Sequence, residues 1–164
     1  MKFKNTILTL VLICTFSGLT ESCSDTDCPL NNVVRCYYTL YSSKQGSSIT
    51  YSDTISVYAA NTTLLNKYAN ATSFNLPMSY ALQADTLTFE FRTSYGVNTA
   101  NVIVSHTNTA HFVSLDCPTS FFHTITDIKH SAQTSHPTID SIVVIKPEVN
   151  YDQTENIRIY LSNY

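Results

Sequence analysis

Apolar and polar residues alternate along most of the chain after residue 32, and this pattern constrains the fold more than any other feature. In residues 33–42, Val34, Cys36, Tyr38 and Leu40 recur at every second position. Successive side chains of a β-strand point to opposite faces, so a period of two indicates half-buried strands. No helical periodicity follows the first twenty residues. Further strands are predicted at residues 49–57, 64–65, 73–77, 87–91, 101–106, 110–115, 121–128, 139–145 and 157–161.

Turn signals separate these short strands at regular intervals. Residues 43–47 form a hairpin-type turn in which Gly46 takes positive φ, and Asp53 marks a bulge. Pro77 confines its strand to an edge or an end, and residues 129–137 predict a long loop. The pattern predicts an all-β fold, a single antiparallel β-sandwich of immunoglobulin-like architecture with about eight or nine strands, over residues 33–164.

The amino terminus is typical of an exported precursor. Lys2 and Lys4 precede an apolar stretch at residues 7–16, which is shorter than the roughly 20 residues that span a bilayer. We therefore expect residues 1–22 to be a cleaved signal helix and residues 23–32 a tether. The alternative is a plain secreted protein with Cys23 in a disulfide.

The residues before Cys23 resemble a lipobox, the acylation signal of bacterial lipoproteins, with Glu21 in place of the usual small uncharged residue. The resemblance implies lipidation of Cys23 with palmitate-type chains and attachment to a membrane. Asp25 and Asp27 resemble the export tether of Bacteroides-type bacteria, which implies an outer-membrane lipoprotein that faces the cell exterior.

Three further cysteines of the exported part, Cys28, Cys36 and Cys117, allow three disulfide pairings. Cys28 and Cys117 each precede a proline, which places them in loops or at strand edges, whereas Cys36 lies in mid-strand. This placement favours Cys28–Cys117, with Cys36–Cys117 as the alternative. A buried free Cys36 behaves as a small apolar residue, and we expect no catalytic role for it.

Composition excludes several classes of function. After the leader, seven basic and eleven acidic residues give a net charge of −4, which offers no basic patch for nucleic acid. With three glycines in the chain, we expect no phosphate-binding loop, and no nucleophile-elbow or metalloprotease motif occurs. We expect no cofactor.

Several strand-and-loop segments together resemble a family of uncharacterised exported lipoproteins of Bacteroides-type bacteria, a domain of unknown function. They are residues 73–78 (SFNLPM), 85–91 (DTLTFEF), 111–117 (HFVSLDC), 139–147 (IDSIVVIKP) and 156–161 (NIRIYL). Members usually carry glycine where Pro118 stands here. The resemblance implies an exported β-sandwich lipoprotein, supports the Cys28–Cys117 pairing and implies no activity.

Histidines supply the only candidate metal ligands that the sequence suggests. A hairpin at residues 107–110 would bring His106 and His111 together, with Cys117, Asp116 or His123 as further ligands. The spacing matches no established metal signature, so we expect no metal site.

Two other groups of residues are candidate surface features. Tyr37, Tyr41 and Tyr51 could share a sugar- or peptide-stacking surface on one hairpin, but packing between neighbouring strands is the favoured explanation for them. Thr54, Thr86 and Ser141 each stand between an aspartate and an aliphatic residue. These tripeptides resemble the O-glycosylation acceptor of Bacteroides-type bacteria; the alternative is a turn aspartate before a strand.

The sequence as a whole favours a non-catalytic binding or accessory module on the cell surface. An edge strand or a loop end would engage a glycan or a partner protein. The first alternative is a structural envelope lipoprotein without a ligand. A hydrolase that uses dispersed carboxylates is a distant second alternative.

Overall fold

A computed structural model of the protein describes residues 33–133 and 136–162. The predicted signal helix, the tether, Cys23 and Cys28 lie outside these residues. No helix within the described ranges is long and apolar enough to cross a membrane.

Ten strands and no helix make up the regular structure of the described residues. They are β1 (Arg35–Ser42), β2 (Tyr51–Ala59), β3 (Thr62–Ala71), β4 (Ser73–Pro77), β5 (Ala84–Thr93), β6 (Gly96–His111), β7 (Ser120–His130), β8 (Thr138–Val144), β9 (Glu148–Val149) and β10 (Ile157–Ser162). The expected all-β class is confirmed, and the number of strands exceeds the prediction.

These strands form two sheets. The four-stranded sheet has the order β4-β1-β10-β8, and the six-stranded sheet has the order β3-β2-β5-β6-β7-β9. β1 and β10 pair in parallel, with Tyr38 opposite Ile157, while the other neighbouring strands in these two sheets pair antiparallel. The prediction of a purely antiparallel fold is therefore wrong, because strands far apart in sequence need no hairpin and are free to run in the same direction.

The sequence predicted the local turns and bulges more accurately than it predicted which strands pair. Gly46 has φ 65°, and the β2–β3 register shifts between Tyr51 and Thr54, around Asp53; both predictions are confirmed. The chain turns at residues 43–47, but β1 and β2 then belong to different sheets. Residues 101–106 and 110–115, predicted as separate strands, belong for the most part to the continuous β6.

One hydrophobic core lies between the sheets. The four-stranded sheet contributes Tyr38 and Leu40, and the six-stranded sheet contributes Tyr51, Phe89 and Phe91, all at most 2% exposed. Burial of each large side chain stabilises the fold by about 1.5–3 kcal/mol relative to exposure. The alternation that predicted the strands thus also identifies the core face.

A buried asparagine ties the ends of the chain together. Asn156 Oδ1 accepts a hydrogen bond from Tyr37 N at 3.0 Å, and its Nδ2 donates to the carbonyl oxygens of Lys146 and Glu148 at 3.1 and 2.9 Å. Asn156 therefore satisfies three backbone groups from different segments.

Candidate functional site

A group of polar side chains lies at one end of the inner face of the six-stranded sheet. Asn108 in β6 stands directly opposite His123 in β7, and His106 lies two residues before Asn108, hence on the same face. Asp85, near the start of β5, completes the group through its contact with His106. We call Asp85, His106, Asn108 and His123 the polar network.

The hydrogen bonds of Asn108 fix the proton positions on both histidines. Its Nδ2 donates to the carbonyl oxygens of Tyr80 and Leu82 at 3.0 and 2.7 Å, so its Oδ1 faces the rings. That oxygen lies 2.8 Å from His106 Nδ1 and 2.7 Å from His123 Nδ1. An amide oxygen only accepts, so each Nδ1 carries a hydrogen.

Nε2 of His106 faces a carboxylate. It lies 3.2 Å from Asp85 Oδ2, with the His106 side chain fully buried and that of Asp85 12% exposed. The contact is within ion-pair distance but lacks hydrogen-bond geometry. Asp85 Oδ2 also accepts a hydrogen bond from Ser79 N at 3.0 Å.

His123 is held in its neutral form. Burial, and to a lesser extent positive charge on His106, lower its pKa to about 4, while the carboxylate of Asp85 acts in the opposite direction. Because Nδ1 keeps the hydrogen, the neutral ring presents Nε2 as a hydrogen-bond acceptor. This Nε2 has no hydrogen-bond partner among the described residues.

His123 forms part of the wall of a cavity of about 210 Å³. We call it the His123 cavity; its lining is otherwise mostly apolar and comprises Val33, Val34, Met78, Tyr80, Thr119, Phe121 and His123. The rings of Tyr80 and Phe121 stack with centroids 5.4 Å apart and an interplanar angle of 23°. Tyr80 is nevertheless 68% exposed, so this aromatic pair is open to solvent.

Met78 and Tyr80 also line a second, more open cavity of about 490 Å³, to which Asp85 contributes. The polar network therefore has one member on each cavity, His123 on the smaller and Asp85 on the larger. The smaller cavity can therefore offer the acceptor of His123 beside aromatic surface. The larger cavity can offer the carboxylate of Asp85.

The structure separates the two histidines that the sequence suggested as a metal pair. β6 continues through residues 107–110 without a hairpin, because these residues include no glycine or proline to break the strand. His106 is buried, whereas His111 stacks on Phe122 with centroids 4.1 Å apart, and Asp116 is exposed. The hairpin prediction is wrong. Within the described ranges, no three His, Cys, Asp or Glu residues are grouped to hold a metal ion.

The cysteines are only partly within the described residues. Cys36 is buried and free, which excludes the Cys36–Cys117 alternative, and burial raises the pKa of its thiol to about 12. Cys117 is buried in the β6–β7 connection, where its Sγ accepts a hydrogen bond from Ser114 Oγ at 3.3 Å. The Cys28–Cys117 disulfide and lipidation of Cys23 stay predictions, since Cys23 and Cys28 lie outside the described residues.

The tyrosines do not share one surface. Tyr51 is fully buried beside Phe91, because β2 lies in the other sheet from β1. Tyr41 is half-buried on the outer face of the four-stranded sheet, where it packs against Tyr160 at 5.4 Å and Arg158 at 4.7 Å. The prediction of a stacking surface shared by Tyr37, Tyr41 and Tyr51 is therefore wrong. Tyr41 instead belongs to a surface patch with Tyr160 and Arg158.

The three candidate glycosylation residues all lie on strands. Thr54 stands opposite Arg92, Ser141 stands opposite Tyr160, and Thr86 is exposed on β5. The aspartate before Thr86 has a structural role, because Asp85 belongs to the polar network. Modification of these residues stays a prediction.

Sequence reasoning considered His123 only as a further metal ligand beside His106 and His111, and it did not find Asn108 as the residue that joins His106 to His123. The signal was present, because His106 and Asn108 have the period-two spacing of one strand face. The predicted break at residues 107–110 concealed it. The contact with His123 further requires the β6–β7 register, which the sequence pattern does not supply.

Comparison with known proteins adds a family but no activity. No curated protein and no solved structure matches the chain. A model of DUF6452, described as a family of unknown function, matches residues 52–161, a range that includes the whole polar network. The match covers well over half of the chain, and the protein therefore belongs to the DUF6452 family.

Proposed function

We propose that the protein is a lipid-anchored, non-catalytic binding module of a bacterial outer membrane, facing the cell exterior, which holds a small ligand in the His123 cavity. The leader, Cys23 and the acidic tether support the anchor and the location. As further parts of this proposal, the Cys28–Cys117 disulfide joins the tether to the domain, and the arrangement of the two sheets is immunoglobulin-like.

The observation that carries the binding role is the composition of the His123 cavity. A half-open aromatic pair lies beside a histidine that is 4% exposed and whose Nε2 has no partner among the described residues. His123 lines the cavity, and a hydrogen bond from a ligand donor to its Nε2 would contribute about 0.5–1.5 kcal/mol.

Binding is favoured over hydrolysis by the chemistry of the nearby groups. With its pKa near 4, His123 is a much weaker base than the histidines that act as general bases near pH 7. The thiol of Cys36 is protonated at physiological pH, and thiolate is the nucleophilic form. A hydroxyl lines the cavity at Thr119, but no hydrogen bond joins it to His123 among the described residues.

The anchor is tested by intact mass spectrometry of the full chain after expression in an exporting bacterium and detergent extraction. We expect loss of residues 1–22 and the added mass of two or three acyl chains on Cys23. The Cys23→Ser variant is the control and should lack the acyl mass. An unacylated wild-type chain would refute the anchor.

The binding role is tested by protein-observed NMR of the full chain in lipid nanodiscs against a mixed set of small polar, aromatic and aliphatic fragments. We expect signals of Phe121 and His123 to shift with at least one fragment, and Phe121→Ala to remove the response. Tyr95→Ala is the matched control, because Tyr95 is 99% exposed and lies in the β5–β6 turn at the opposite end of β5. Absence of any shift at these residues would favour the structural alternative.

A further inference from the structure

The geometry of the His123 cavity points to one class of ligand. We propose that it binds a flat aromatic compound of one or two rings that carries an N–H or O–H donor, as indoles and phenols do. This inference rests on the proposed binding function and specifies the ligand of that same site.

The size of the cavity limits the ligand to a small molecule. Its volume is about 210 Å³, whereas drug-sized ligands occupy pockets of about 300–1,000 Å³. An engineered cavity of about 150 Å³ holds benzene. A single ring or a fused pair of rings is therefore the appropriate size, and an oligosaccharide chain is excluded from the interior.

The wall selects a flat aromatic shape. Tyr80 and Phe121 stack on each other with one ring of the pair largely exposed, and Val34 and Met78 supply further apolar surface. A third ring extends the stack in the offset or edge-to-face geometry that aromatic pairs prefer. An aliphatic ligand of equal volume would bury a similar area but would lack the additional free energy of an aromatic pair, about 0.5–1.5 kcal/mol.

The polar network selects the donor. Asn108 Oδ1 accepts a hydrogen bond from His123 Nδ1, and the two atoms are 2.7 Å apart. The neutral ring therefore has only an acceptor available to a ligand, at Nε2. Rotating the ring to present a donor instead would break that bond. The orientation of Asn108 is itself fixed by the carbonyl oxygens of Tyr80 and Leu82.

The charge of the described lining disfavours ionic ligands of either sign. None of the described residues that line the cavity is Lys, Arg, Asp or Glu, and His123 is neutral at physiological pH. A carboxylate or phosphate would lose its hydration without a cation to replace it, and an ammonium group would lose it without an anion. The ligand is therefore a neutral molecule.

Indole and benzothiophene test the donor directly, because they are similar in size and shape and only indole has an N–H. Each is titrated by calorimetry into the full chain in lipid nanodiscs, with empty nanodiscs as the blank. The chain contains no tryptophan, so indole fluorescence excited near 295 nm provides an independent readout. One hydrogen bond with a net contribution of about 1 kcal/mol predicts about fivefold tighter binding of indole.

Two variants localise the effect. His123→Phe keeps a ring but removes the acceptor, and we expect indole and benzothiophene then to bind equally. Phe121→Leu should weaken both probes by a similar factor, while Tyr95→Ala should change neither. The comparison of the two probes on the unmodified chain stands even if a variant fails to fold.

The outcomes separate the ligand class from the binding function. Equal affinity of the two probes for the unmodified chain overturns the donor requirement. Shifts of Phe121 and His123 with aliphatic or charged fragments but not with indole overturn the ligand class and leave the binding function intact. No response to any fragment or probe overturns both.

Discussion

The neutral state of His123 makes the stability of the fold depend on pH. Burial lowers the pKa of His123 to about 4, from 6.5 in an exposed chain. Between about pH 4 and pH 6.5, His123 is mostly protonated in the unfolded chain and mostly neutral in the folded protein. Stability is therefore complete above pH 6.5 and is lost as the pH falls toward 4.

The magnitude follows from the two pKa values. Linkage gives about 2–3 kcal/mol less stability at pH 4.5 than at pH 7.5 from the titration of this residue. His123 is only 4% exposed, so solvent screening does not reduce the effect appreciably. A domain of this size has a total stability of about 5–15 kcal/mol, so the loss is large enough to measure.

Urea unfolding at pH 4.5, 5.5, 6.5 and 7.5, followed by tyrosine fluorescence, measures this loss in a chain with eleven tyrosines and no tryptophan. His123→Gln is the control, because glutamine does not titrate; its stability should vary about 2–3 kcal/mol less over the same range. The carboxylates with lowered pKa, among them Asp152 and Glu155, lose their contribution mainly below pH 4.5. Equal pH dependence of the wild type and His123→Gln would refute the reasoning.

Three further predictions concern the core and the chain ends. Asn156→Ala leaves Tyr37 N and two carbonyl oxygens unpaired, so urea unfolding should show a loss of about 2–4 kcal/mol; a loss under 1 kcal/mol would mean that water replaces the amide. The Cys36 thiol, with its pKa near 12, should resist iodoacetamide at pH 8 in the folded chain and react in urea, as read by mass spectrometry; rapid alkylation of the folded chain would show that it is accessible. Phe89→Ala should lower the free energy of unfolding by about 3–5 kcal/mol, since Phe89 is fully buried. Tyr95→Ala is the exposed comparison, expected to change it by less than about 0.5 kcal/mol.

The strands were predictable from the sequence because their signal is local. Alternation located β1, β4 and β10 to within a few residues, since an inward and an outward face require it wherever a sheet covers a core. The same rule placed Tyr38 and Leu40 in the core. Gly46 and Asp53 were found because turn and bulge chemistry depends on single residues.

Partner strands were not predictable in the same way. The parallel pairing of β1 with β10 and the assignment of β2 to the other sheet depend on packing between distant segments. The length of β6 was also predicted incorrectly, because polar residues continue the pairing with β7 after His106. Alternation alone carries no information on which strand lies beside which.

The candidate site depended on both kinds of information. His106 was singled out from the sequence as a metal candidate, and Asp85 as the aspartate before Thr86. Their contact needed the position of β5 beside β6, and the role of Asn108 needed the opposing register of His123, fifteen residues away. The residue types of the polar network can thus be read from the sequence, whereas their proximity depends on how the strands pair in the sheet.

β10 lies between β1 and β8, so the four-stranded sheet joins the first strand of the described residues to the last. Tyr37 and Asn156 are 119 residues apart in the chain, so this sheet depends on contacts of long sequence separation, which form slowly during folding. A chain cut before Ile157 would leave β8 without the strand that joins it to β1, and would expose the inner face of the six-stranded sheet. Protection of the core from solvent therefore depends on a strand of six residues.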